Sequence, residues 1–317
     1  MPSFSGIWSL SQQFQAVGQG LWPGVYVAPE TFAIFALGCV GGSGSTTRNK
    51  YTYTGDVNSS ATASTAASAA GSAVGNSTVG IFALGCVSGS RSTARNKYTY
   101  SGDVVAVGSV ATAASSQGSA AGNSAVGIFA LGFVSSRVTT RDKYTYSGDV
   151  VSSGGSATVA SSAGSAAGNS TTGIFALGQN SVGTALTTRN KYTYSGCTVA
   201  AGGAATAASF QGSAAGNSTV GIFALGYACA YSTTRDKYTY SGCVVSAGGA
   251  ATTGTAGGAA AGNSTVGIFA LGCRFCTRFT TRDKYTYAGC VVAAGGAATA
   301  ASRFGSAASN GTSGVNM

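Results

Sequence analysis

Gly80-Ile81-Phe82-Ala83-Leu84-Gly85, followed shortly by Arg95-Asn96-Lys97-Tyr98-Thr99-Tyr100, decides how the chain is read, because the chain says it six times. The Ile of Ile-Phe-Ala-Leu-Gly falls at 34, 81, 128, 174, 222 and 268, so successive copies stand 47, 47, 46, 48 and 46 residues apart. The first Tyr of Tyr-Thr-Tyr keeps step at 51, 98, 144, 192, 238 and 285. A fixed period of this length is the signature of a repeat architecture, in which each unit buries its apolar face against its neighbours.

One copy divides into four short segments. The first is small-residue rich, Gly118-Ser119-Ala120-Ala121-Gly122. In the second, Gly127-Ile128-Phe129-Ala130-Leu131-Gly132, both alternating faces are apolar, as in a strand buried on two sides. The third is Thr139-Thr140-Arg141-Asp142-Lys143-Tyr144-Thr145-Tyr146. Period-two alternation puts Arg141, Lys143 and Thr145 on one face and Asp142, Tyr144 and Tyr146 on the other. A turn at Ser147-Gly148-Asp149 leads to the fourth, Val150-Val151. β-Branched and aromatic residues between Gly-rich turns predict strands throughout, and no segment carries a 3.6-residue apolar stripe.

Four strands in about 47 residues is the length of a β-propeller blade. The ends agree with this. The first copy begins at Phe32 with no small-residue segment before it, and the last small-residue segment, Gly305-Ser306-Ala307-Ala308, has no Ile-Phe-Ala-Leu-Gly after it. The two incomplete ends add up to one unit. The prediction is therefore an all-β, six-bladed β-propeller over residues 31–317, closed by shared N- and C-terminal strands, with a short N-terminal arm over residues 1–30. The Ala/Gly/Ser segment suits the crowded inner strand. Ring closure hides sheet edges, and an open solenoid would need polar caps that the sequence lacks.

Composition narrows the chemistry. The 317 residues include Gly 50, Pro 3 and no His, with 44% hydrophobic and 8% charged residues and a net charge of +10. Without His, Ser-His-Asp and Cys-His arrangements are excluded. The carboxylates are Glu30, Asp56, Asp103, Asp142, Asp149, Asp236 and Asp283, and no carboxylate position recurs in all six copies. No enzyme and no cofactor are expected. Cys273-x-x-Cys276 has zinc-like spacing, but neither a second Cys pair nor a His accompanies it, so no metal is expected. The turn position after Tyr-Thr-Tyr is Asp56, Asp103 and Asp149 in three copies and Cys197, Cys243 and Cys290 in the others. That mixture argues for a small side chain in a turn, not for an acid or metal ring. Asn76-Ser77-Thr78 and its counterparts match a glycosylation sequon, and turn-forming Asn is the favoured role. Met1 to Leu10 lacks the basic region and apolar core of a signal peptide, and no apolar run is long enough to span a membrane.

Arg-Asx-Lys is the charged step present in every copy. It reads as a blade-to-blade latch, because ring geometry itself demands identical repetition. The competing reading is a basic ring facing an anionic glycan, lipopolysaccharide or DNA. Function is expected where repetition stops. The arm carries Trp8, Phe14 and Trp22 as partner-docking candidates, since exposed Trp residues are typical interface anchors. Among loop residues that differ between copies, Tyr227, Tyr231, Arg274, Phe275, Arg278 and Phe279 are the surface-binding candidates.

Two resemblances extend this reading. The order of small-residue segment, Ile-Phe-Ala-Leu-Gly strand and Tyr-bearing strand resembles a divergent kelch-type propeller repeat across residues 31–317, without the double Gly and blade Trp of that family. Met1-Pro2-Ser3-Phe4-Ser5-Gly6-Ile7-Trp8, with Gln12-Gln13, Gln15-Ala16 and Gly20-Leu21-Trp22-Pro23, is similar to the opening of some tailed-bacteriophage virion proteins. This resemblance implies a virion structural protein of the tail, baseplate or fibre. Such a protein is made in the bacterial host cytoplasm, docks onto other virion proteins by its arm and belongs to a multi-subunit assembly. The propeller would serve subunit contacts or host attachment, a host-surface glycan being the candidate partner, with no nucleic acid expected. The alternatives are a glycan-binding propeller lectin or a bacterial surface repeat protein.

Overall fold

The computed structural model describes residues 31–311, and every described residue falls in a compact unit spanning Thr31–Met317. The unit is all-β. Among the described residues there is no helix, and so none long and apolar enough to cross a membrane.

Each repeat forms one four-stranded antiparallel sheet, and there are six such sheets among the described residues. In the third, the strands are Ser119–Gly122, Val126–Ala130, Arg141–Thr145 and Val150–Ser153, hydrogen-bonded in that order. The first sheet is assembled from both ends of the repeat region. Ser306–Ser309 pairs with Phe32–Ala36, which pairs in turn with Arg48–Thr52 and then Val57–Ala61. The small residues of the first strand let each one lie beside its counterparts from two other sheets. Short hairpins cap the step from second to third strand, as at Cys86–Val87 with Ser90–Arg91 and Cys273–Arg274 with Thr277–Arg278.

The doubly apolar second strand is explained by what lies on either side. Ile128 packs with Phe175, Tyr192 and Tyr194 of the fourth sheet, while Phe129, Tyr144 and Tyr146 pack with Ile81 of the second. The same seam recurs from Ile34 onto Phe82, Tyr98 and Tyr100. The faces read from alternation therefore hold. The Arg-Lys-Thr face of each sheet meets the next sheet, and the Asx-Tyr-Tyr face meets the one before.

The Arg-Asx-Lys step is the latch, and the reading of it as a basic ring open to a ligand does not survive. All six arginines are at most 1% exposed. Each guanidinium donates Nη2 to the Asx of the following sheet: Arg48 to Asn96 at 3.0 Å, Arg95 to Asp142 at 2.7 Å and Arg141 to Asn190 at 3.1 Å. The series continues with Arg189 to Asp236 and Arg235 to Asp283, both at 2.7 Å, and returns with Arg282 to Asn49 of the first sheet at 3.2 Å. The guanidinium also lies over the Phe ring of that next sheet, 4.6 Å from the centroid for Arg141 over Phe175 and 4.5 Å for Arg282 over Phe35. A planar, weakly hydrated cation tolerates such burial where a lysine would not. The same Asx oxygen accepts the backbone N–H of a Thr from the preceding sheet, as Thr112 does to Asp142 at 3.0 Å.

Smaller ties follow the same polarity. Lys284 pairs with Asp56 of the first sheet at 2.9 Å, and Lys237 Nζ lies 3.9 Å from Cys290 Sγ. The Asp/Cys turn position has a function the sequence did not disclose. Asp56, Asp103, Asp149, Cys197, Cys243 and Cys290 all have left-handed φ between 50° and 56°. In the Asp copies the side chain then faces the Tyr hydroxyl of its own sheet, as Asp56 Oδ1 accepts from Tyr51 at 2.7 Å. Asn76 is turn-forming as expected, since its Oδ1 accepts the N–H groups of Thr78 and Val79, both at 2.9 Å.

Asp142→Ala strips Arg95 of its counter-ion in a dry seam and is expected to destabilise the fold by about 3–5 kcal/mol in urea unfolding. Asn190→Asp gives Arg141 the carboxylate it lacks, and is expected to raise stability by about 1 kcal/mol. Burial raises Tyr51, Tyr53, Tyr100, Tyr146, Tyr192, Tyr194, Tyr238, Tyr240, Tyr285 and Tyr287 above the ordinary value of 10.0. Above pH 10.0 the unfolded chain ionises these phenols and the folded chain does not, so stability is lost as pH rises. The latch arginines pull the other way, since burial lowers Arg48, Arg141 and Arg282 to about 10, but six arginines oppose ten tyrosines. The urea midpoint is expected to fall above pH ~10, less steeply in Tyr194→Phe, and a midpoint still level at pH ~11 would contradict this.

Candidate functional site: the mouth of the axial cavity

The residue two places before the start of each first strand is the start of the site. Ala70, Gln117, Ala163, Gln211 and Phe304 have φ between 54° and 57°, and Gly257 has 66°. This left-handed turn swings each peptide across to its neighbour. Gln117 N–H donates to Ala70 O at 2.8 Å, Ala163 to Gln117 at 2.8 Å, Gln211 to Ala163 at 2.7 Å and Gly257 to Gln211 at 2.8 Å. Phe304 donates to Gly257 at 2.6 Å and Ala70 to Phe304 at 2.9 Å, which returns the series to its start. The next residue is Gly in every copy for a steric reason. A Cβ on Gly118 would lie 2.2 Å from Ala130 O of the second strand.

A small cavity, open to solvent at its mouth, is bounded by this circuit and the first strands below it. Ser72, Ser119, Ser165, Ser213 and Ser306 line it, together with Gln117, Gln211 and Phe304. Four of these serines, Ser72, Ser119, Ser165 and Ser306, are buried at 7–9% exposure. Gln117, Gln211 and Phe304 come from the third, fifth and first sheets, with Ala163, Gly257 and Ala70 between them. The lining contains no Asp, Glu, Lys, Arg or Cys. It offers hydroxyls, two primary amides and one aromatic face. Hydroxyls and amides both donate and accept hydrogen bonds, and an aromatic face packs on C–H groups.

The hairpins surround this mouth, and they gather the loop candidates. Phe210, Tyr227, Tyr231 and Phe275 make successive edge contacts at centroid distances of 5.5, 5.0 and 5.1 Å. Arg274 lies 5.1 Å over Phe275, which is 72% exposed. Arg278 and Phe279 are placed apart from this row. Arg278 Nη2 reaches Cys39 Sγ at 3.9 Å, and Phe279 bridges to Ser302 through its backbone. Cys273 is buried and Cys276 exposed, both as free thiols. Trp8, Phe14 and Trp22 lie outside the described residues.

Gln117, Gln211 and Phe304 were not singled out in the sequence, although a signal was there. The position reads Ala, Gln, Ala, Gln, Gly, Phe through the copies, while the Gly after it never changes. Variation at one position beside constancy at the next marks a side chain released from the repeat's packing.

No protein-family model and no curated protein matches the chain. Among solved structures, the fold is similar to that of YjhT, with a TM-score of 0.63 at 10% identity, over 78% of this chain and 93% of that one. At that identity the likeness concerns the fold alone.

Proposed function

We propose that the six sheets are the blades of a closed six-bladed β-propeller, and that the chain is a non-catalytic recognition module binding a saccharide at the axial mouth. Two circuits support closure: the guanidinium-to-Asx series from Arg48 round to Asn49, and the backbone series through Ala70 and Phe304. The observation that carries the recognition reading is the lining of the cavity, which has hydroxyls, amides and an aromatic ring but no titratable side chain. Such a surface recognises and does not transform. The setting is a tailed-bacteriophage virion, on the tail, baseplate or a fibre, with residues 1–30 docking onto other virion proteins and the mouth turned to a host-surface glycan. That setting rests on the resemblance of Met1 to Pro23 to virion proteins. A propeller lectin outside a virion would use the same mouth.

Closure is tested by removing residues 302–317, which include the first strand of the first sheet and a link of the backbone circuit. The truncated chain is expected to lose its cooperative thermal transition. An open array would lose one strand and keep a transition close to that of the full chain. Recognition is tested on a glycan array with the full chain beside Phe304→Ala. Saccharide binding weakened at least tenfold by that substitution is the expected result, and an array without a bound glycan at high protein concentration would refute the reading.

A further inference from the structure

The aromatic row beside the mouth is not needed by the fold. Phe210 pairs with Tyr227 across the base of the fifth hairpin. At the equivalent place the other sheets have Ala69 with Cys86, Ser116 with Phe133, Ser162 with Gln179, Ala256 with Cys273 and Arg303 with Cys39. Those pairs hold no second aromatic residue, and they close their hairpins equally well. A role demanded by ring geometry would repeat, as the arginine latch does. The row instead occurs at one place, the join between the fifth and sixth hairpins. It begins next to the mouth, since Phe210 directly precedes Gln211 in the chain, and ends at an exposed Phe275 with a guanidinium over it.

Charge gives the second observation. The arginines outside the latch are Arg91, Arg137, Arg274, Arg278 and Arg303, all in the hairpins or in the segments paired with them. Those segments contain no Asp or Glu. Among the described residues, none of these arginines is in an ion pair. The described carboxylates are spent elsewhere, three in the latch and three in the turns after the third strands. This side of the molecule is therefore positive without internal compensation.

Resting on the recognition reading above, we propose that the ligand is an acidic polysaccharide. Its terminal sugar enters the mouth, and its chain runs outward along Phe210, Tyr227, Tyr231 and Phe275 to Arg274. Sugar rings present C–H faces that pack on aromatic rings, and a carboxylate or sulfate takes a guanidinium fork in bidentate geometry. The spacing of charge favours a polysaccharide over a nucleic acid. Four rings are accompanied by one free guanidinium at the far end, whereas a strand with a phosphate on every nucleotide calls for cations along its whole track. Charge at intervals of a few sugars matches the row.

The test is biolayer interferometry of the full chain with hyaluronan and gellan, whose carboxylates are separated by neutral sugars, as acidic probes, dextran as a neutral probe and oligo(dT) as a nucleic acid. The expected result is binding to at least one acidic polysaccharide that weakens with salt. Phe275→Ala and Arg274→Ala should each weaken it at least tenfold, with Arg274→Lys restoring part. Val182→Ala, at the tip of the fourth hairpin, should change nothing. Phe275, Arg274 and Val182 are all exposed, so these variants are expected to keep the parent thermal midpoint. Dextran bound as tightly as the acidic probes, oligo(dT) bound more tightly, or indifference to Arg274→Ala would overturn the proposal. If no acidic probe binds while an array glycan is still lost in Phe304→Ala, this inference fails and the recognition reading stands. If neither binds, both fail.

Discussion

Everything in this molecule depends on a buried guanidinium that cannot be satisfied within its own sheet. Arg141 has its Asx partner and its aromatic partner, Asn190 and Phe175, in the following sheet. An isolated repeat would bury neither the cation nor the Ile face, so it has no independent folded state to speak of. The contact is also directional, with each sheet giving an arginine forwards and receiving one from behind. Head-to-tail contacts of this kind either close or propagate without end. With Arg282 returning to Asn49, each of the six latch guanidiniums has its Asx partner within the chain.

The latch is made from two chemistries that alternate without symmetry. Arg95, Arg189 and Arg235 meet Asp, whereas Arg48, Arg141 and Arg282 meet Asn and so have no counter-ion. The difference reaches the guanidinium itself, since burial lowers these last three to about 10. A neighbouring Thr absorbs the change of partner. Thr112 Oγ1 donates to Asp142 at 2.6 Å, while Thr158 Oγ1 accepts from Asn190 Nδ2 at 2.8 Å. A hydroxyl that both donates and accepts lets one backbone serve both residues. Stacking on Phe explains why the Asn seams persist. The cation is compensated in part by a ring quadrupole and, at Arg282, also by a carbonyl, Nη1 donating to Gly296 O at 3.2 Å.

How far the sequence could be read follows from which constraints are periodic. The strands, the inner position of the small-residue segment and the opposite faces of Arg141 and Asp142 were all legible, because each recurs six times at one spacing. The offset ends were legible for the same reason, and Ser306–Ser309 does pair with Phe32–Ala36. The left-handed residues were not. Asp149, Cys197, Gln117 and Phe304 share φ values near 50–57° while differing in chemistry, and at the mouth position only Gly257 is the residue by which a left-handed turn normally advertises itself. A backbone conformation fixed by a neighbouring sheet leaves little trace in local residue type. The burial of the arginines was only half legible, since alternation assigns a face but does not say that the face is dry.

The same reasoning separates scaffold from site. In a repeat fold, a residue under structural constraint must satisfy that constraint in every copy, so departures from the repeat are positions where packing has stopped deciding the side chain. The mouth position varies through Ala, Gln, Gly and Phe because its side chain points past the backbone circuit and not into a seam. The hairpin pair varies through Ala–Cys, Ser–Phe, Ser–Gln and Phe–Tyr because only its backbone is held. These two sets of released positions are adjacent in the chain at Phe210 and Gln211, which brings an aromatic row to the edge of an amide- and hydroxyl-lined cavity. The latch makes that adjacency useful. A cavity wall held by two circuits of hydrogen bonds loses little freedom when a ligand enters, so binding energy is not consumed in ordering the site.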